Sequence, residues 1–276
     1  MHNIAYGAYG SCEEATFSAS TLTLLNRGLV YGIAHVRGGG EMGRQWYEEP
    51  HGAKYLCKQN SFHDFVDVAQ WLVGDRQLTT PDLLACNGAS AGGLLAAAVI
   101  NQAPELFKAA IIEVPFVDVI ATMVDASLPL TANEWEEWGK PSWSLFLILS
   151  QSEITHSTIF PYTKTKTGNP NEEKYFQYML EYSPVQNVKK NARYPACLIT
   201  GGLHDPRVAF WEPAKLAAAL RHDQDRSASG PVFLKIDMTS GHFSASDRYK
   251  YLKEIAFHYA FLLDQLLSDG SASAGE

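Results

Sequence analysis

Short apolar runs alternate with segments of helical periodicity along most of this chain. The run from Leu29 to Val36 is rich in apolar residues and stops at an arginine followed by three glycines, a pattern typical of a strand that ends in a loop. Between Ser61 and Leu72 the apolar residues recur at helical spacing, which predicts a helix with one apolar face. The same patterns predict further strands at 83–86, 109–115, 196–200 and 232–238, and further helices at 91–101, 213–221 and 251–267.

This alternation indicates an α/β fold with a mostly parallel sheet and helices on both of its faces. In such sheets the functional groups gather where the strands end. Two segments depart from the pattern. Residues 140–167 contain one acidic residue, Glu153, among many serine, threonine and apolar residues, and residues 268–276 are rich in serine, alanine and glycine. We expect the tail to be disordered and the 140–167 segment to be atypical of the domain around it.

Composition narrows the class of protein. With 276 residues, 46% of them hydrophobic and 19% charged, the chain can bury a large core and does not resemble a disordered protein. Its net charge of -8 argues against nucleic acid as a partner. No apolar run reaches the length of about 18 residues that a membrane span needs, and the first residues lack the basic and apolar regions of a signal peptide.

Cysteine and glycine patterns bear on location and cofactors. The four cysteines show neither CxxC pairs nor metal-ligand spacing, which predicts free thiols in a reducing compartment and therefore a cytoplasmic protein. The three glycines at 38–40 are not followed by Lys-Ser or Lys-Thr, so they do not form a phosphate-binding loop. We expect neither a metal nor another cofactor.

The segment Gly88-Ala89-Ser90-Ala91-Gly92 matches G-x-S-x-G, the pattern of a nucleophile elbow. In this turn a serine sits between a strand and a helix, and the glycines allow the two elements to approach closely. A predicted strand precedes the segment and a predicted helix begins at Ala91, which is the context that the motif requires. Ser90 is therefore the candidate nucleophile, and the backbone N–H of Ala91 is a candidate donor to a developing oxyanion.

A serine nucleophile needs a base, together with an acid that orients the base. In folds with this elbow, the order along the chain is serine, acid, histidine. Asp205 follows the predicted strand at 196–200 and His242 follows the one at 232–238, so these two are the best candidates. The alternative for Asp205 is a turn cap. Among the other histidines after Ser90, His258 lies within the closing helix, where a packed imidazole is the ordinary interpretation.

Besides the elbow, five further segments are similar to segments of one known protein family. They are residues 6–10, 35–43, 113–119, 203–208 and 251–257. Together they resemble the catalytic domain of the prolyl oligopeptidase family, most closely its oligopeptidase B members, over nearly the whole chain. The resemblance implies an α/β-hydrolase domain at 1–267 and a serine endopeptidase activity. It also implies an oxyanion-binding hydroxyl on Tyr6 and a substrate-backbone contact by Arg207. By pattern alone, Tyr6 would be taken for a packed aromatic side chain.

By the same resemblance, Glu134 and Glu136 match the carboxylates with which oligopeptidase B members hold a basic P1 side chain. A carboxylate pair can accept a guanidinium through charge-assisted hydrogen bonds. The resemblance therefore implies short peptide substrates, cleaved after arginine or lysine. Taken alone, the cluster at 133–138 would be read as a solvated acidic face. A prolyl specificity would instead require an apolar pocket lined by aromatic side chains.

The chain departs from the family in three ways. Family members carry a β-propeller ahead of this domain, so a chain that begins near the oxyanion strand is expected to be N-terminally truncated. Ala89 stands where oligopeptidases more usually have glycine. Joining Gly139 to Asn169 would restore a family-like run, so we interpret 140–167 as an insertion. Because it follows the acidic cluster directly, its deletion is expected to raise activity toward arginine substrates.

Two alternatives stay open at this point. Esterases and prolyl or acylaminoacyl peptidases share the fold, and a comparison of arginine, proline and ester substrates would separate them. A truncated sheet with exposed edges would also be compatible with an inactive fragment. Nothing in the sequence indicates an oligomeric state.

Overall fold

The computed structural model describes residues 1–140, 170–242 and 248–267. The predicted insertion, from residue 141 onward, and the predicted tail lie outside these ranges. The strands of the described residues are β1 (His2–Ile4), β2 (Tyr31–Ile33), β3 (Ala85–Ala89), β4 (Ala109–Glu113), β5 (Ala196–Gly202) and β6 (Val232–Asp237). They form one parallel sheet in the order β2-β1-β3-β4-β5-β6.

Helices lie between most of the strands, as expected for parallel neighbours that need long crossover connections. The helices of the described residues are α1 (Thr21–Leu25), α2 (Gln59–Val73), α3 (Ala91–Gln102), α4 (Val119–Val124), α5 (Thr131–Trp138), α6 (Pro170–Tyr182), α7 (Trp211–Asp223) and α8 (Arg248–Leu267). The four predicted helices correspond to α2, α3, α7 and α8. The sequence analysis did not predict β1, α1, α4, α5 or α6. Helices α1, α4 and α5 have only 5, 6 and 8 residues, too few for a helical period to be recognised.

The sheet is buried on both faces, which β5 shows most clearly. Successive side chains of a strand point to opposite faces. Ala196 and Leu198 pack in one cluster with side chains of α1 and α8. Cys197 and Ile199 pack in a larger cluster with α2, α3 and α7. The prediction of a mostly parallel sheet with helices on both faces is confirmed.

Two of the predicted strands differ from the observed ones at both ends. The strand predicted at 29–36 is reduced to β2 because its neighbour β1 is only three residues long, and the pairing ends where Ala34 donates to the Ile4 carbonyl. The strand predicted at 83–86 begins later, because Pro81–Leu83 forms a 3₁₀ turn. It then continues as far as Ala89, so β3 leads directly into the elbow.

All four cysteines are free thiols, as predicted. Cys86 and Cys197 are fully buried, and burial raises the pKa of the Cys197 thiol to about 12. The described residues contain no cluster of three or more histidine, cysteine or acidic side chains placed to hold a metal ion. In the same residues we find no helix with both the length and the apolar character of a membrane span.

Candidate active site

Ser90 lies at the sharp turn between β3 and α3. Its φ of 57° and ψ of -116° are strained for a residue that carries a side chain. A Cβ atom on Gly88 would lie 1.9 Å from the carbonyl oxygen of Gly92, so the turn requires glycine at this position. The Ser90 N–H donates to the Glu113 carbonyl at the end of β4 (2.9 Å). The end of the sheet therefore holds the backbone of the candidate nucleophile.

Ser90, His242 and Asp205 come together from three separate loops. The His242 Nε2 atom lies 3.1 Å from the Ser90 Oγ atom, and the His242 Nδ1 atom lies 2.7 Å from Asp205 Oδ2. The side chains of Asp205 and His242 are 0% and 6% exposed, so the contact between them is shielded from water. The other Asp205 oxygen accepts the backbone N–H groups of Arg207 and Val208, which orient the carboxylate. This geometry allows the imidazole to take a proton from the serine.

The loops that carry the acid and the histidine are tied to each other. Leu203 donates its N–H to the Asp237 carbonyl, and His204 donates its N–H to the Ser240 carbonyl. The ammonium of Lys250 on α8 donates to the Ser240 hydroxyl (2.8 Å). The relative position of Asp205 and His242 therefore depends on contacts that join β5, β6 and α8.

A cavity of about 300 Å³ opens beside Ser90. Tyr6 and Phe116 form aromatic parts of its wall, and Glu134 and Arg207 add an acidic and a basic side chain. The structure thus places three residues that the sequence analysis selected in the wall of one cavity next to the candidate nucleophile: Tyr6, Glu134 and Arg207.

Two donors are available to a negative charge near Ser90. Burial, followed by the charge of Glu134, raises the pKa of Tyr6, so its phenol stays protonated at neutral pH and can donate. A hydrogen bond with Ser90 and the charge of Arg207 oppose this shift. Ala91 is the first residue of α3, where backbone N–H groups have no acceptor within the helix and the helix dipole favours negative charge.

The Glu134 carboxylate is held by only one of its oxygens. Its Oε2 atom accepts hydrogen bonds from the Tyr9 hydroxyl (2.7 Å) and from the Trp138 indole N–H (2.8 Å). No described residue donates a hydrogen bond to Oε1. Glu134 can therefore accept a donor from a ligand in the cavity without losing the contacts that fix its position.

Glu136 is not brought to this cavity. Residues two positions apart on a helix do not share a face, so the Glu136 side chain points away from that of Glu134. It is 82% exposed and lies 3.6 Å from the Lys54 ammonium. The structure thus separates the two carboxylates that the sequence analysis paired.

Glu137, the third acid of the cluster, is buried, at 3% side-chain exposure. It lies beneath Tyr9 and near the ammonium of Lys58. The sequence analysis assigned no function to Tyr9, Lys58, Glu137 or Phe116. Tyr9 and Phe116 do fall inside two of the segments that resemble the family, residues 6–10 and 113–119. That resemblance is the signal by which the sequence could have pointed to them. For Lys58, a single lysine at the start of a helix, the sequence contains no such signal.

Comparison with known proteins shows which family the sequence is similar to. The sequence model described as "Prolyl oligopeptidase family" matches residues 15–153 and 148–269. "Dipeptidyl aminopeptidase BI" of Pseudoxanthomonas mexicana is 41% identical over 266 residues, which cover 96% of this chain and 32% of that protein. "Protease 2" of Moraxella lacunata is 43% identical over 261 residues, covering 95% of this chain and 33% of the relative. The chain therefore spans about a third of the length of these relatives.

Solved structures agree with the fold. Oligopeptidase B of Leishmania major superposes with a TM-score of 0.82 at 48% identity, covering 97% of this chain and 32% of that one. Oligopeptidase B of Trypanosoma brucei, solved in a closed form with covalently bound antipain, gives a TM-score of 0.81 at 50% identity, with 96% and 32% covered. The expected α/β-hydrolase fold is confirmed by these neighbours.

Proposed function

This chain belongs to the prolyl oligopeptidase family, and from that premise we propose that it hydrolyses peptide bonds through an acyl-enzyme formed on Ser90. The observation that carries the proposal is the chain of contacts from Ser90 Oγ through the His242 imidazole to the buried Asp205 carboxylate. Covalent binding of antipain to the Trypanosoma brucei relative is consistent with a covalent step at such a site.

The first half-reaction follows from this geometry. Ser90 Oγ attacks the carbonyl carbon of the scissile peptide while His242 Nε2 takes its proton, and Asp205 stabilises the imidazolium that forms. The Tyr6 hydroxyl and the Ala91 N–H donate to the oxygen of the tetrahedral intermediate. His242 then returns the proton to the leaving amine, and the acyl group stays on Ser90.

The second half-reaction releases the acyl group. Water attacks the ester carbon while His242 takes one of its protons, and the same two donors stabilise the second tetrahedral intermediate. Collapse of that intermediate breaks the bond to Ser90 Oγ, which recovers its proton from His242. The products are a carboxylic acid and the free enzyme, and no cofactor enters the balance.

We assign the P1 preference to Glu134 and propose basic side chains, arginine or lysine. The cavity beside Ser90 has Glu134 in its wall, and a carboxylate there attracts a cation. Because Oε2 is already engaged by Tyr9 and Trp138, a substrate cation would be accepted mainly by Oε1. A single-atom contact suits an ammonium as well as a guanidinium, so the preference for arginine over lysine should be small. Arg207, in the same wall, is assigned to the substrate backbone.

A proline-specific pocket is the competing possibility. Aromatic side chains, Tyr6, Tyr9 and Phe116, do line the cavity. Glu134 nevertheless disfavours an apolar P1 ring. Such a ring would displace water from the Oε1 atom of Glu134 without donating a hydrogen bond in its place. The free thiols favour a reducing location, and we propose the cytoplasm.

The test uses the purified full chain, treated with a fluorophosphonate probe that forms a covalent bond to activated serines. Labelling of the parent and its absence in Ser90→Ala is the expected result, and Asp205→Asn should label far more slowly with the fold preserved. Peptide substrates ending in arginine, lysine or proline before a fluorescent leaving group then define P1. Failure of the folded, monodisperse parent to label would refute the proposed activity, and equal turnover of proline and arginine substrates would refute the assigned specificity.

A further inference from the structure

A buried ion pair lies directly beneath the 6–10 loop, outside the cavity. Lys58, next to the start of α2, and Glu137 on α5 have side chains 2% and 3% exposed, with the ammonium 3.5 Å from Oε1. The Lys58 ammonium also donates to the Gly7 carbonyl (2.6 Å) and lies 4.7 Å from the centre of the Trp138 ring. A charged pair in this position contacts the loop that carries Tyr6.

Glu137 holds the same loop through a second residue. Its Oε1 atom accepts the Tyr9 backbone N–H (3.1 Å), and its Oε2 atom accepts the Tyr47 hydroxyl (2.6 Å). The Tyr9 hydroxyl in turn donates to Glu134, so one residue links the buried pair to the acid in the cavity. The contacts of Lys58 and Glu137 therefore reach the loop that carries Tyr6 and, through Tyr9, the Glu134 carboxylate in the cavity wall.

The loop needs such anchors because its backbone is strained. Gly7, Tyr9 and Gly10 all have positive φ, at 67°, 59° and 66°. Tyr9 is not a glycine, and a residue held in this region persists only where its surroundings determine its conformation. The loop conformation thus depends on the groups that bind Gly7 and Tyr9.

Stability alone does not explain a charged pair at this position. Burial lowers the pKa of Lys58, and the charge of Glu137 opposes that shift. Replacing a buried ion pair by uncharged side chains of similar volume is often neutral or stabilising in proteins. A geometric function would explain why the charges are present, because charge-assisted hydrogen bonds are short and directional.

We infer that Lys58 and Glu137 are positioning residues that hold the 6–10 loop in its strained conformation, and thereby aim the Tyr6 hydroxyl at the oxyanion and Tyr9 at Glu134. The inference rests on the proposed function for its chemical consequence, since neither residue touches the substrate. Its structural part, the restraint of the loop, stands independently of activity.

The decisive variant is the double substitution Lys58→Met/Glu137→Gln, which removes both charges and keeps the side-chain volumes. Melting temperature should stay close to that of the parent, because no unpaired charge is left. Deuterium exchange of the loop amides should become about tenfold faster, as expected when the Lys58 hydrogen bond to Gly7 is lost and the acceptor for Tyr9 becomes neutral. The fluorophosphonate labelling rate should fall by about tenfold or more, because a misplaced donor stabilises the oxyanion less.

Two further variants keep the test informative. Tyr47→Phe removes one donor from Glu137 without removing a charge, so it should accelerate loop exchange to a smaller degree even if the double variant folds poorly. Glu136→Gln is the matched control, since Glu136 is the neighbour of Glu137 on α5 and pairs with Lys54, but is 82% exposed and does not bind the loop. Its exchange and labelling should match those of the parent.

The outcomes separate the two proposals. A double variant with parental melting temperature, parental loop exchange and parental labelling overturns the positioning function. Faster loop exchange in both the double variant and Tyr47→Phe, with Glu136→Gln unchanged, supports it. A folded parent that does not label would refute the proposed function instead, and the exchange data would still decide whether the pair restrains the loop.

Discussion

Replacing Glu134 by glutamine should abolish most of the preference for a basic P1 residue. Oε2 of Glu134 accepts two hydrogen bonds, from Tyr9 and Trp138. In Glu134→Gln the amide oxygen must take that position to satisfy both donors, which turns the amide NH₂ group to the side where Oε1 was. A substrate cation would then meet a donor in place of a charged acceptor.

The size of the effect follows from the contact that is lost. A hydrogen bond to a charged group contributes about 1.5–3 kcal/mol, and about 1.36 kcal/mol corresponds to a factor of ten in rate. We therefore expect kcat/KM for arginine and lysine substrates to fall by about 10- to 150-fold. Substrates with an uncharged P1 residue should change by less than about threefold, since the contact does not exist in their complexes.

The assay compares kcat/KM for peptides that differ only at P1, together with the fluorophosphonate labelling rate as a measure of the triad. Glu136→Gln is the matched control on the same helix, and we expect a small effect because Glu136 is 82% exposed and pairs with Lys54. Equal losses on all substrates would mean that Glu134 supports the fold of the site rather than P1 recognition. A larger loss in Glu136→Gln than in Glu134→Gln would refute the assignment altogether.

Three other perturbations test separate parts of the structure. Tyr6→Phe should lower kcat by about 10²- to 10³-fold with little change in KM, as for other oxyanion donors, and a parental kcat would exclude Tyr6 from that function. Gly88→Ala should prevent assembly of the elbow, because its Cβ would lie 1.9 Å from the Gly92 carbonyl oxygen; a thermal melt and probe labelling that both match the parent would contradict this. Burial raises the pKa of Glu212 from 4.5 to about 7. As pH rises, the unfolded state therefore loses this proton before the folded state does, and the free energy of unfolding should fall between pH 4.5 and pH 7. At about 1.36 kcal/mol per pKa unit the decrease is up to about 3 kcal/mol. Glu212→Gln should remove that part of the pH dependence in chemical denaturation, and an unchanged slope would show that Glu212 ionises normally.

Local patterns were sufficient for three side chains that lie in contact, those of the candidate triad, to be selected from the sequence. The elbow at Ser90 depends on Gly88 and Gly92, which lie within two positions of Ser90, because they allow β3 and α3 to approach closely. Asp205 and His242 each follow a strand, and parallel strands end at one edge of the sheet. A chain with this alternation brings the three side chains together, as the 2.7 and 3.1 Å contacts show.

The environment of the acidic cluster could not be predicted in this way. Three glutamates lie within four positions, and a helix sends them to different places: Glu134 to the cavity, Glu136 to solvent and Glu137 to the interior. A side chain's direction depends on where the helix begins and on what packs against it. Sequence proximity therefore suggested a pair that the structure separates.

Sequence by itself determined the alternation of strands and helices, the candidate elbow at Ser90 and the residues of the candidate triad, because each follows from residues near one another in the chain or from the common edge of a parallel sheet. Tertiary structure alone decided which acid faces the cavity and how the 6–10 loop is held. Lys58 reaches the Gly7 carbonyl across 51 positions of sequence, and Glu137 reaches the Tyr9 N–H across 128. Such contacts exist only after packing has excluded water, and no local pattern encodes them.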